Sequence, residues 1–178
     1  VGIGEIPVLS RIDEIPDADI VVFELSSWRL SALANARKSP HIAVFTNLYP
    51  DHLNYYSSME EYFSDKKNIV RFQNSEDIFV FNANSIEVSQ LAKQVASKTI
   101  ACSSEDTGTD GVFLKDGSVI LRELGKETSL VLARDIRPIG SHILLDILLA
   151  VAVARASDVS CDDISRGIRS FSGVPHRL

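Results

Sequence analysis

Two apolar runs, Ile20 to Leu25 and Ile42 to Asn47, constrain this chain more than any other feature. Both are short and rich in β-branched residues, and neither alternates apolar with polar. That pattern predicts strands covered on both faces, as in a parallel sheet packed between helices. Each run leads into polar residues: Glu24, Ser26 and Ser27 at the end of the first, Asp51 and His52 beyond the second. In an open parallel sheet, ligands bind outside the carboxyl ends of the strands. A carboxylate and an imidazole delivered to that edge predict a divalent-cation site made from Glu24 and His52. Oxygen ligands suit Mg²⁺, whereas an imidazole suits Mn²⁺ or a mixed oxygen and nitrogen set better. The 178 residues contain no G-x-x-x-x-G-K-[ST] loop, so they do not carry the usual backbone cradle for the phosphates such a metal accompanies.

The rest of the chain extends the alternation. A short helical turn is expected over Val8 to Ile12, and helices over Trp28 to Arg37, Ser58 to about Phe72 and Ser85 to Ser97. Further strands are expected at Ile78 to Phe81 and Thr99 to Cys102. Ser58-Met-Glu-Glu61 has the spacing of a capping box. Strand and helix in turn argue for a mostly parallel α/β sheet flanked by helices. The texture then changes. Gly111 to Leu121 is two strand-like runs around Asp116-Gly117, a strong hairpin signal, and Thr128 to Leu132 is a third candidate strand. These predict a small antiparallel layer, set apart from the parallel sheet. An all-round apolar helix follows over Ile143 to Ala156, which predicts deep packing. Ser160 should cap a last helix running to about Arg169.

Composition narrows the function. A net charge of −6 with no basic block argues against nucleic-acid binding. The longest apolar run is too short to span a bilayer and contains Asp146. No secretory signal is visible. Cys102 and Cys161 lack metal spacing and read as reduced thiols of a cytoplasmic protein. Lys66 shares a helical face with Tyr62 and Val70, which predicts a partly buried ammonium. Gly140-Ser-His142 ahead of the apolar helix and Pro175-His-Arg177 at the end are turns able to meet an anion or a base. Val1-Gly-Ile-Gly4 reads as the middle of a loop, as expected of an excised domain.

In order and spacing these pieces resemble the Mur ligases. Glu24-Leu-Ser-Ser-Trp-Arg-Leu30 is similar to the family's E-L-S-S-F-Q-L, and Thr46-Asn-Leu-Tyr-Pro-Asp-His-Leu53 to its N-x-x-x-D-H-[LM]. Tyr62-Phe-Ser-Asp-Lys66 resembles Y-x-x-x-K, Gly140-Ser-His142 resembles G-x-H-N, and Gly173-Val-Pro-His-Arg177 resembles G-[LV]-P-H-R. The resemblance covers nearly all of residues 1–178 and implies the central, ATP-binding domain, without the uridine-nucleotide domain, the phosphate loop or the C-terminal domain. E-L-S-S points to the branch that adds D-glutamate to UDP-N-acetylmuramoyl-L-alanine in peptidoglycan synthesis. It implies ATP and Mg²⁺ or Mn²⁺ as cofactors, Glu24 and His52 as metal ligands, and Lys66 as a carbamylated lysine that supplies an anionic oxygen. It places Ser26 and Ser27 near the sugar peptide, and His142, Asp146, His176 and Arg177 around the nucleotide. Four positions depart from the family: two of its Asn residues are Ile143 and Asp146 here, its Gln is Arg29, and its Asn before Ile-Gly is Gly2. The chain alone is expected to be inactive. A noncatalytic binding or regulatory module built on the same fold is the alternative, and a related ligase such as a folate polyglutamate enzyme is a third reading.

Overall fold

A computed structural model describes residues 8–136 and 141–173. After a 3₁₀ segment over Val8–Glu14, the order of elements is α1 (Ser27–Ala36), β1 (Ile42–Phe45), α2 (Met59–Lys67), β2 (Ile78–Asn82), α3 (Ile86–Ala92) and β3 (Lys98–Ser103). Then come β4 (Gly111–Lys115), β5 (Ser118–Glu123), β6 (Lys126–Leu132), a 3₁₀ turn, α4 (Ser141–Ala156) and α5 (Cys161–Ser170). The six strands form one sheet in sequence order. β1 to β4 run parallel; β4, β5 and β6 are antiparallel neighbours.

Alternation along the strands sorts side chains onto two covered faces. Phe79, Phe81, Ala43 and Phe45 point to one face, where they meet Val70, Val88 and Leu91 from α2's exit and α3. Val80, Cys102, Val112 and Val119 point to the other, against Leu148, Val151 and Ala152 of α4 and Ile164 and Ile168 of α5. The result is three layers, with α4 lying across β1 to β4. Buried Gln73 ties the strand starts together: its amide donates to the carbonyls of Pro40 (2.9 Å) and Ile78 (3.0 Å), and its oxygen accepts from Ser97 Oγ (2.8 Å). Those bonds satisfy a polar group that would be costly to bury alone.

Most predicted elements are found, with α2 and α3 shorter than the patterns suggest. α2 gives way to turns after Lys67 and α3 stops at Ala92. Ile86 stands exposed at α3's first position. Ser85 and Ser160 cap α3 and α5 as their types favour.

Two expectations need correction. Ile20 to Leu25 is not a buried strand: it lies outside the six-stranded sheet, and Ile20 and Val22 are 67% and 76% exposed. Its composition makes it competent for two-faced burial, but competence needs a ladder partner and cover. The sheet among the described residues ends at β1, with no rung reaching this segment. The antiparallel strands are also not a separate layer. β4 pairs parallel with β3 through Ala101 opposite Gly111 while forming the hairpin with β5, so Val112 is an interior residue. Gly111 makes this junction possible. At φ +153°, a Cβ there would stand 2.3 Å from the Ala101 carbonyl oxygen.

The hairpin turn itself is as expected. Asp116 and Gly117 have φ of 50° and 72°, the type I′ pattern. A second tight turn, Leu124-Gly125, puts a leucine at φ 50°. The Asp110 carboxylate holds it, accepting from the N–H groups of Leu124 (2.6 Å) and Gly125 (2.9 Å). Arg122 braces the same end. It donates to both Asp106 oxygens at 2.7 Å, pairs with Glu127, and lies 4.5 Å from the Phe113 ring centre.

Candidate functional site

α1 begins without the side-chain cap its sequence invites. Ser26 occupies the N-cap in an extended conformation, yet its side chain caps nothing. Ser27, only 2% exposed, lies against the Tyr56 phenol, and its hydroxyl makes no hydrogen bond of good geometry among the described residues. A helix start leaves N–H groups without intrahelical acceptors and carries partial positive charge. This end of α1 is chemically suited to an anion.

Between β1 and α2 the chain runs irregularly through Pro50, Asp51 and His52. His52 has φ +56°, a strained conformation for a residue with a Cβ. Its N–H donates to Asp51 Oδ1 at 2.7 Å, and Asp51 Oδ2 lies 3.4 Å from His52 Nε2. Thus Asp51 both stabilises the strained backbone and sits beside the ring. That ring lies 4.5 Å from Trp28 of α1 and 6.1 Å from Tyr62 of α2. Trp28 also meets Tyr55 edge-on at 5.6 Å.

Lys66 completes the cluster. α2 starts at Ser58, whose hydroxyl accepts from Glu61 N–H as the capping-box reading predicts. The Glu61 carboxylate reaches back one residue further, to Ser57, than a capping box requires. On the inner face of α2, Lys66 Nζ lies 5.1 Å from the Tyr62 ring centre and 5.6 Å from that of Phe45. No carboxylate among the described residues is within ion-pair distance of it. Burial lowers the ammonium's pKa, opposed by the negative charge of Asp51. The partly buried lysine expected from spacing is therefore present, and Tyr62 separates it from His52. Burial and the same Asp51 charge raise the Tyr62 phenol.

Glu24 and Asp146 both line a cavity of about 860 Å³ beside α4 and α5, together with Ile143, Ile147 and Phe171. The walls are mostly apolar, which suits a flat ring more than a phosphate. The expected residues thus fall into two groups: Ser27, His52 and Lys66 around an aromatic cluster, and Glu24 and Asp146 at the cavity. The side chain of His142 and all of His176 and Arg177 lie outside the described residues. Tyr56 escaped the sequence reading. Its phenol donates to Asp65 Oδ2 at 3.0 Å, and burial raises its pKa. The Tyr55-Tyr56 pair three residues after His52 was the available signal.

Among the described residues no three His, Cys, Asp or Glu side chains converge as a metal cage. Asp51 and His52 offer an oxygen and a nitrogen side by side, the few protein ligands that suit an ion arriving with phosphates, as Mg²⁺ commonly does.

A family model for the Mur ligase middle domain matches residues 5–154, and the chain belongs to that family. It is 39% identical over 173 residues to the UDP-N-acetylmuramoylalanine--D-glutamate ligase of Acetivibrio thermocellus, covering 97% of this chain and 36% of that protein. It is 34% identical over 174 residues to the enzyme of that name from Symbiobacterium thermophilum, covering 97% and 38%. The chain therefore spans little more than a third of these relatives. Its fold is similar to the MurF ligase of Thermotoga maritima in complex with ADP, with a TM-score of 0.55 and 19% identity over 78% of this chain and 32% of that one.

Proposed function

We propose that residues 1–178 are the middle domain of an ATP-dependent ligase that adds D-glutamate to UDP-N-acetylmuramoyl-L-alanine in peptidoglycan synthesis. The observation that carries this reading is Lys66: a half-buried ammonium with a lowered pKa, no carboxylate partner, and only Tyr62 between it and His52. An ammonium carries no lone pair and cannot ligate a divalent cation. Carbamylation reverses its sign. The neutral amine attacks CO₂ through its lone pair, a C–N bond forms, and an N–H proton leaves to water, giving one negative charge. Burial favours this by raising the neutral fraction of the amine.

Lys66 and His52 from the aromatic cluster, with Glu24 from the cavity, are the residues that would hold Mg²⁺ or Mn²⁺ against ATP, which requires the two groups to come together when the nucleotide binds. The ion would neutralise phosphate charge as it moves to the leaving group. The remaining steps belong to substrate and chain. A carboxylate oxygen of the sugar peptide attacks the γ-phosphorus of ATP and expels ADP; the D-glutamate amine then attacks the acyl carbon, phosphate leaves, and the amine proton is lost. Ser26, Ser27 and the N–H groups opening α1 supply donors for an anionic group of the sugar peptide. The cavity bearing Asp146 takes the adenine, with His142, His176 and Arg177 contributing to nucleotide binding. The two parts of the ligase beyond this domain bind the uridine nucleotide and the amino acid, and the site of action is the cytoplasm. Among the described residues no helix is long and apolar enough to cross a membrane.

The test is phosphate release by the intact ligase. Turnover should require UDP-N-acetylmuramoyl-L-alanine and D-glutamate together, and L-lysine should not replace D-glutamate. Release with the sugar peptide but without dependence on D-glutamate would defeat the substrate assignment. Ile143 and Asp146, where the resemblance to the family implies Asn, favour the noncatalytic alternative slightly, and Glu24, His52 and Lys66 oppose it. Nucleotide binding with no turnover under any combination of substrates would establish that alternative.

A further inference from the structure

We infer that Tyr56 and Asp65 are positioning residues that set the distance between His52 and Lys66; this rests on the reading of Lys66 given above. Tyr56 bridges the two segments by independent groups. Its backbone N–H donates to the His52 carbonyl at 3.0 Å, alongside the Tyr55 N–H at 2.9 Å, and fixes the loop that His52 opens. Its phenol donates to Asp65 Oδ2 at 3.0 Å, one residue before Lys66 on α2. Its ring lies 5.2 Å from Tyr62, the residue between His52 and Lys66. One buried side chain thus touches the His52 loop, the intervening ring and the turn of α2 that carries the lysine.

The bond is well placed to act as a spacer. The Tyr56 ring is 3% exposed, so the phenol cannot turn to water without moving the aromatic cluster. Asp65 is half-buried on the helix flank, and the next residue, Lys66, brings its Nζ to the Phe45 and Tyr62 rings. The other links between loop and helix, Ser57 and Ser58 to Glu61, hold the first turn of α2. Among the described residues, the Tyr56–Asp65 bond is the hydrogen bond that ties the loop to the turn bearing Lys66. Hydrogen bonds to a charged acceptor are among the stronger kinds, so losing this one should free the lysine measurably.

The experiment uses the intact ligase with Tyr56→Phe, Asp65→Ala and Asp65→Asn, held in CO₂-free buffer for labelling so that Lys66 presents its free amine, and returned to bicarbonate for kinetics. Brief labelling with acetic anhydride, followed by peptide mass spectrometry, reads the rate at each lysine. Tyr56→Phe and Asp65→Ala should speed labelling of Lys66 by about fivefold, the loss expected for one net hydrogen bond, and leave Lys67 and Lys93 unchanged. Asp65→Asn keeps an acceptor oxygen and should restore the slow rate. An unchanged Lys66 rate in Tyr56→Phe and Asp65→Ala would overturn the inference. So would a parallel rise at all lysines, the mark of a merely structural bond. Steady-state kinetics separate this from the function proposed above: kcat should fall by at least as much as labelling rises, with KM for ATP unchanged. Faster Lys66 labelling with full kcat would leave the spacer standing and remove Lys66 from the reaction.

Discussion

Substituting Gly111 with alanine tests the junction where the sheet changes from parallel to antiparallel. The new Cβ would lie 2.3 Å from the Ala101 carbonyl oxygen, a backbone atom in the facing strand. Non-bonded contacts settle near 3.5 Å, so β3 and β4 must separate by about 1 Å or the new methyl must bend its own strand. Overpacking of this kind costs about 1–3 kcal/mol. The backbone adds about 1–3 kcal/mol, because φ +153° is sparsely populated by residues with a Cβ. Gly108→Ala is the control. Its φ is +75°, but a Cβ there meets nothing within 4 Å, so only the backbone cost of about 1–2 kcal/mol applies. Urea unfolding of both variants, followed by circular dichroism, should show Gly111→Ala less stable by about 1–3 kcal/mol than Gly108→Ala. With an m value of about 1–3 kcal/mol per molar urea, the midpoints should differ by about 1 M. Coincident midpoints would refute the close approach of β3 to β4.

Other outcomes follow from single groups. Arg122, aided by the Gly108 N–H, holds the Asp106 carboxyl well below its usual range, to about 2. A depressed carboxyl pKa stabilises the fold fully above the unfolded value and ceases to do so as pH falls through the folded one. The stability gap between wild type and Asp106→Asn should therefore shrink as pH falls from about 4 to about 2, and a gap constant over that window would contradict the pairing. Cys102 is buried with its thiol pushed up, while Cys161 is partly exposed. Native-state alkylation should mark Cys161 well before Cys102; the reverse order would place Cys102 wrongly. The 178-residue chain by itself should not hydrolyse ATP above a Glu24→Ala control, since it contains no phosphate loop. Turnover above that control would show that the chemistry needs no such loop.

Local patterns carried the elements well, and the reasons for the failures are physical. Strands such as Ile42–Phe45 and Ile78–Asn82 could be read because burial on both faces leaves a continuous apolar run. The same run at Ile20 to Leu25 misled, because apolar composition reports what a segment can bury and not whether a partner strand is beside it. The hairpin at Asp116-Gly117 was visible from two residues. Its union with the parallel strands was not, because pairing of Ala101 with Gly111 is a contact between distant residues that no local pattern encodes. The turn at Leu124 was hidden for a related reason: Asp110, fourteen residues away, makes a left-handed leucine tolerable. In the candidate site, i to i+4 spacing was enough to predict a half-buried Lys66 over Tyr62. The Tyr56–Asp65 bond depends on how a loop folds back on a helix, and spacing says nothing about that.

The most direct measurement of the central claim is Lys66→Ala in the intact ligase, assayed for D-glutamate addition with and without added short-chain carboxylates. If Lys66 acts as an anionic oxygen ligand, the substitution should lower kcat about 100-fold, and a small carboxylate entering the vacated space should recover part of the loss. Acetate and formate should restore activity in a saturable way, and a small amine such as ethylamine should not. Full activity in Lys66→Ala, or recovery by the amine and not by the carboxylates, would contradict the account.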